Sequence, residues 1–241
     1  MQAWDKIPDA DKNADGAYYA DYTGIMSVGW NADKYGDINS LDDLLDPKFA
    51  GTVAVNGKPA EAGAAFNGYL MANQLAGGDI NNLQPGLDFF KKLKEAGNLN
   101  TIDVTNGTID SGQTGVVFDW TYNQASYKKE LKDKGVNWKY KTFPKAQVVS
   151  YYNQAINKDA PHPAAARLWE EYLYTADAQN LWFKGGANPV LLDSMKEDGT
   201  VDQATLKDAI TIEGEPVSYT NDDSTRITEW LQNNWDKTIG N

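Results

Sequence analysis

The sequence predicts an α/β protein built from short buried strands that alternate with helices. Three observations carry this. Thr52-Val-Ala-Val55 and Val116-Val-Phe118 are apolar runs too short for helices, bounded by turn residues and rich in β-branched or aromatic side chains, as strands buried on both faces are. Each run leads into a helical pattern, at 64–75 and after Tyr122. A separate stretch, Asp79 to Gly97, places Leu83, Leu87, Phe90 and Leu93 at helical spacing and ends on a glycine.

In chain order, residues 1–22 read as loop and short helix, with the acidic stretch Asp11 to Asp21 following Trp4-Asp-Lys-Ile-Pro-Asp. Tyr22 to Asn31 alternates loosely and predicts a strand. Ser40-Leu-Asp-Asp-Leu-Leu-Asp-Pro47 predicts a short helix with Ser40 as N-cap and Asp43 in the capping-box position. Strand 52–55, the loop 56–63 and helix 64–75 follow. Thr101 to Val104 predicts a strand, and the helix after Tyr122 ends near Gly135. Val136 to Phe143 alternates with period two, as a strand does. Gln147 to Ile156 is a further strand candidate. Pro163 opens a helix where its missing N–H costs nothing, with Ala165, Leu168, Trp169, Tyr172 and Leu173 as its apolar stripe. A second helical stretch ends at Gly185-Gly186, and 188–190 is extended. Helices over 202–209 and 222–237 complete the chain, the last carrying Ile227, Trp230, Leu231 and Trp235 on one face.

Composition excludes several functions. The net charge of −12 leaves no basic face for a phosphate backbone, so nucleic acid is not an expected partner. With no cysteine, disulfides and thiolate chemistry are out, and a single histidine, His162, cannot build a histidine metal cluster. His162 lies in Pro-His-Pro and reads as a turn residue. No G-x-S-x-G motif supplies a nucleophile, so no catalytic residue is assigned and no enzyme is expected. The carboxylate pairs Asp42-Asp43, Glu170-Glu171 and Asp222-Asp223 fit solvated faces and helix starts better than acid–base catalysis. No cofactor is implied, and no apolar run is long enough to span a membrane.

Candidate binding residues lie where strands end and helices begin, the ligand position in open α/β sheets. Asp119, Trp120 and Tyr122 follow the strand 116–118. Aromatics paired with a few polar groups are common in ligand pockets, but Asp119 as a helix cap and Trp120 as core fit equally well. The loop 56–63 before a helix N-terminus could hold an anion on free backbone amides, although it lacks a P-loop pattern and an ordinary connection explains it too. The aromatic content, 8 Trp and 13 Tyr, also suits an aromatic-rich carbohydrate- or surface-binding module.

Several segments together resemble the extracellular solute-binding proteins of bacterial ABC importers, the cluster that binds iron, polyamines, phosphonates, sulfate or thiamine. These are Ser40 to Val55, Gly112 to Tyr127, Val148 to Ile156, and His162 to Leu173 running on to Gly186-Ala-Asn-Pro-Val190. The resemblance covers the chain from about Ile25 onward. It implies a type II periplasmic-binding-protein-like fold of two α/β lobes joined by crossing strands, with ligand held between the lobes. On that pattern residues 1–30 hold a first-lobe remnant and the first crossing, 31–145 are the second lobe, and 146–241 are the second crossing and the rest of the first lobe. Only some 20 residues precede the first crossing, so the first lobe is expected to be incomplete, its surface covered by a second chain, by self-association or by a missing segment. The resemblance places ligand contacts at Glu61, Ala62 and Gly63, at Asp119, Trp120 and Tyr122, and at Tyr151, Tyr152 and Asn153. It also implies delivery to ABC permease transmembrane subunits, and an extracellular or periplasmic location with a lipid anchor in a full-length form. Ferric relatives carry two adjacent tyrosines where this chain reads Trp120-Thr-Tyr-Asn123, and polyamine binders carry an acid where it reads Tyr151-Tyr-Asn153. The ligand class, whether polyamine, phosphonate or related, stays open.

Overall fold

The computed structural model describes residues 1–212 and 214–240. In chain order the elements are β1 Tyr19–Thr23, β2 Met26–Asn31, α1 Ala32–Tyr35, β3 Val53–Val55, α2 Gly63–Leu75, α3 Gln84–Glu95, β4 Leu99–Asn100, α4 Asn106–Asp110, β5 Val116–Trp120, α5 Thr121–Lys132 and β6 Trp138–Lys141. There follow β7 Tyr152–Gln154, α6 Pro163–Leu173, α7 Ala176–Lys184, β8 Asn188–Pro189, α8 Leu192–Glu197, α9 Gln203–Asp208 and α10 Asn221–Ile239. The chain divides into two compact units, Met1–Gly24 with Ser150–Thr211, and Ile25–Val149 with Ile212–Asn241.

The larger unit is built on a five-stranded sheet in the order β4-β3-β5-β2-β6. The strands β4, β3 and β5 run parallel, and β2 pairs antiparallel with both β5 and β6. The short apolar runs are buried as expected: every residue of β3 and β5 is buried. Helices α2, α3 and α10 supply Tyr69, Phe90 and Trp235, which pack with Phe118 of β5 in one aromatic core. The smaller unit has a three-stranded antiparallel sheet in the order β7-β1-β8. Its core joins Ile7, Tyr19, Leu173, Phe183 and Met195. The Tyr174 hydroxyl donates to the Ala20 carbonyl at 2.6 Å, tying α6 to β1.

Several elements differ from the sequence reading. The strand expected over 22–31 is broken at Gly24, and its halves join different sheets. Residues 42–45 and 47–49 form two 3₁₀ turns rather than one α-helix. Asp43 does reach back, accepting from the Asn39 and Ser40 amides, but the Ser40 hydroxyl donates to Asp43 instead of capping. Helix α3 starts at Gln84 because the Asp79 carboxylate binds the amides of Asn81 and Asn82 and holds that segment in a turn. No strand forms over 101–104, and α4 follows instead, capped reciprocally by Thr105 and Thr108. Within 147–156 only 152–154 is a strand, and α8 went unpredicted. On α6 the structure buries Leu173 and Glu170, while Leu168 and Trp169 of the expected apolar stripe are 73% and 58% exposed.

The largest correction concerns the C-terminus. Residues 146–241 do not form one block, because α10 belongs to the larger unit, where Ile227, Leu231, Trp235 and Ile239 are buried. The reason is the aromatic surface that α3 offers: the Trp235 ring lies 5.1 Å from that of Phe90. The start of α10 is set by a capping box between Thr220 and Asp223, with Arg226 bound to Asp223 at 2.8 Å. Hydrogen bonds from Arg226 and Thr220 hold the Asp223 carboxyl at about 2, below its ordinary value. A depressed carboxyl pKa stabilises the fold above the unfolded value, and that stabilisation is lost as pH falls through the folded one. Amide exchange in the first turn of α10 should therefore accelerate as pH drops from about 4 toward 2, after correction for intrinsic exchange. In Asp223→Asn this acceleration should vanish; an unchanged profile would reject the capping role.

Candidate functional site

In the larger unit the candidate residues surround the C-terminal ends of β3 and β5. After β3 the chain turns at Gly57, whose φ of +98° suits glycine. A Cβ at Gly57 would stand 2.5 Å from that of Ala62, so the loop closes tightly on itself. The amides of Glu61 and Ala62 both donate to the Lys58 carbonyl at 2.9 Å. Ala62 is the N-cap of α2, and no side chain caps the helix. The first-turn amides therefore lack the partner that Ser, Thr, Asp or Asn would supply, and carry the positive end of the helix dipole. Glu61 and Gly63 are exposed and Ala62 is half-buried.

Asp119 lies at the end of β5 and is fully buried. Four donors fill its carboxylate. One oxygen accepts from the Trp120 amide at 2.8 Å and Asn123 Nδ2 at 2.9 Å. The other accepts from Asn56 Nδ2 at 2.8 Å and the Tyr127 hydroxyl at 2.9 Å. Burial pushes the Asp119 carboxyl up, and these hydrogen bonds oppose the shift. Burial and the neighbouring Asp119 charge likewise raise the Tyr127 hydroxyl. The carboxylate expected to fix a ligand group is thus hydrogen-bonded on both oxygens within the protein. Trp120 is also buried and stacks on half-buried Tyr122, centroids 6.3 Å apart and planes 17° apart. Of the three, only Tyr122 is half-buried rather than buried. The start of α5 is fixed by Thr121, whose amide donates to the Ile25 carbonyl at 3.0 Å and whose hydroxyl accepts from the Ile25 amide at 3.1 Å.

In the smaller unit Tyr152 and Asn153 are exposed on β7, and Tyr151 is half-buried with its hydroxyl raised by burial. Tyr152 stacks on Tyr22 of β1 at 5.0 Å, and Tyr22 stacks on Trp182 of α7 at 4.3 Å. Beside this aromatic ladder, buried Asp21 accepts from Gln154 Nε2 at 2.9 Å and Gln179 Nε2 at 3.0 Å. Burial raises the Asp21 carboxyl as it does that of Asp119. Sequence reading missed Asp21, Tyr22 and Trp182, because the β1–β7 pairing and the stacking of Trp182 of α7 on Tyr22 bring together three stretches distant in the chain. A cavity of about 600 Å³ in this unit, lined by Trp4, Tyr19, Arg167 and Glu171 among others, involves none of the predicted residues. Among the described residues no cluster of three or more His, Cys, Asp or Glu could hold a metal ion, and no helix is long and apolar enough to cross a membrane.

No curated protein matches the chain in sequence. Among solved structures it is similar to a putative extracellular solute-binding protein from Bordetella parapertussis, with a TM-score of 0.73, 13% identity, and coverage of 99% of this chain and 73% of that one. It is also similar to the periplasmic binding protein AfuA from Actinobacillus pleuropneumoniae with fructose-6-phosphate bound, with a TM-score of 0.68 and 18% identity over 98% of this chain and 73% of AfuA. Iron-bound HitA from Pseudomonas aeruginosa matches with a TM-score of 0.66 and 18% identity over 96% of this chain and 74% of HitA. These likenesses establish the type II periplasmic-binding-protein fold, of which the chain spans about three quarters of the neighbours' length. The model of the bacterial extracellular solute-binding protein family matches residues 1–209. With most of its length so matched, the chain belongs to that family.

Proposed function

We propose that this protein captures a small solute outside the cytoplasmic membrane and delivers it to the permease subunits of an ABC importer. The candidate contacts in the larger unit are Glu61–Gly63 and Tyr122. The solute class we propose is a compact anion bearing an amino group, an aminophosphonate or a close relative. The observation that carries this is the uncapped N-terminus of α2, which favours negative charge. Exposed Glu61 beside it suits an ammonium on the same solute, where a plain anion would be repelled. A polyamine loses its best partner, since all four donors around Asp119 are internal.

Thermal unfolding against 2-aminoethylphosphonate, phosphate, sulfate, fructose 6-phosphate, spermidine, putrescine, ferric citrate and thiamine tests the proposal. A ligand at 100 times its dissociation constant adds about 2.7 kcal/mol to stability, a clear upward shift. The expected result is a dose-dependent shift with 2-aminoethylphosphonate that Glu61→Gln reduces. A shift with spermidine alone, or with ferric citrate alone, would reject the anion assignment.

A further inference from the structure

Three elements carry the larger unit's candidate contacts, and one side chain joins all three. Asp119 ends β5. Through Asn123 and Tyr127 it binds the first and second turns of α5, the helix that presents Tyr122. Through Asn56 it binds the first residue of the loop that delivers Glu61–Gly63. The Asn56 amide also donates to the Phe118 carbonyl of β5 at 3.3 Å. Asn56 is only half-buried, yet both its backbone and its side chain are clamped to the end of β5. Beyond it come Gly57, in a conformation few other residues adopt, and a turn closed on Lys58. The position of the α2 N-terminus thus depends on where Asn56 is held.

We infer that Asp119 is a positioning residue, whose carboxylate sets the 56–63 loop and the α2 N-terminus through Asn56 and holds α5 in register with them, without touching solute. The inference rests on the reading of Glu61–Gly63 as ligand-facing. Its structural half can be measured with no ligand present. A carboxylate with four donors arranged about it is a fixed acceptor, and a second acid facing it from position 56 replaces an attraction with a repulsion.

The test is hydrogen–deuterium exchange on the full chain, comparing wild type with Asn56→Asp, Asn56→Ala and the reciprocal swap Asn56→Asp/Asp119→Asn. Asn56→Asp should raise exchange across residues 57–63 by about tenfold, with Asn56→Ala giving a smaller rise and α3 unchanged as the internal reference. The swap restores a carboxylate–amide pair and should bring exchange back to within about twofold of wild type. A purely structural loss would not be rescued by inverting the pair. Unchanged exchange at 57–63 in both single variants, or a swap as fast as Asn56→Asp, overturns the inference. If Asn56→Asp does not fold, Asn56→Ala decides alone by the same local readout. Calorimetry with 2-aminoethylphosphonate then separates the two readings: affinity lost in Asn56→Asp and regained in the swap joins them, whereas no binding by wild type counts against the aminophosphonate assignment and leaves the exchange result to judge Asp119.

Discussion

Gly29→Ala will destabilise the larger unit by about 3 kcal/mol, an unusually large effect for the addition of one methyl group. Gly29 sits in the middle of β2, paired with Val117 on one side and Tyr140 on the other. A Cβ there would lie 2.0 Å from Gln124 Oε1 and 2.8 Å from Trp138 Nε1. Neither neighbour can step aside freely. Gln124 is fully buried, accepts from the Trp138 indole at 2.8 Å and donates to the Val117 carbonyl at 3.0 Å. Trp138 is 1% exposed and packs among Ile109, Val117 and Leu131. Moving Gln124 breaks two buried hydrogen bonds, and a buried polar group left without its partner costs about 1–3 kcal/mol. Urea denaturation of wild type and variant checks the figure; a change below about 1 kcal/mol would show that Gln124 relocates cheaply.

Phe90→Ala and Trp235→Ala should each cost about 3–5 kcal/mol, the range for removing a buried aromatic ring. Phe90 is fully buried on α3 and contacts the rings of Tyr69, Phe118 and Trp235 at 5.9, 6.0 and 5.1 Å. Trp235 lies on α10, distant in sequence but edge-on to Phe90, with planes 67° apart. Edge-to-face pairs add about 0.5–1.5 kcal/mol beyond area burial, so the double variant should lose less than the sum of the singles by that amount. The cycle also tests where the C-terminal helix belongs. Strict additivity would mean that α10 does not pack on α3, returning it to the assignment the sequence suggested.

That misassignment shows what a one-dimensional pattern omits. The apolar face of 222–237 is plain in the sequence, but such a face specifies only that something must cover it. Which partner does so depends on shape, and here α3 presents Phe89 and Phe90 beside Tyr69 of α2. The same holds for α6, where the apolar spacing is real yet Leu168 and Trp169 stand exposed. Gly29 gave no warning at all, since a glycine within a strand pattern says nothing of the Gln124 amide that occupies its missing Cβ.

At the candidate site the sequence determined by itself the residue types and their local setting. Apolar runs 52–55 and 116–118 had to be buried strands, and a Gly-bearing loop followed by a helix start marked 56–63. Strand-end chemistry drew attention to Asp119, Trp120 and Tyr122. Only the tertiary structure decided their surroundings. It buried Asp119 and surrounded it with the donors of Asn56, Asn123 and Tyr127. It also joined Tyr22, Tyr152 and Trp182 into one stack across three elements. The physical reason is the range of the forces concerned. Strand burial, turn chemistry and helix periodicity act between near neighbours in sequence and can be read there. A carboxylate's meaning depends on which donors surround it, and those are brought together by packing between segments far apart in the chain.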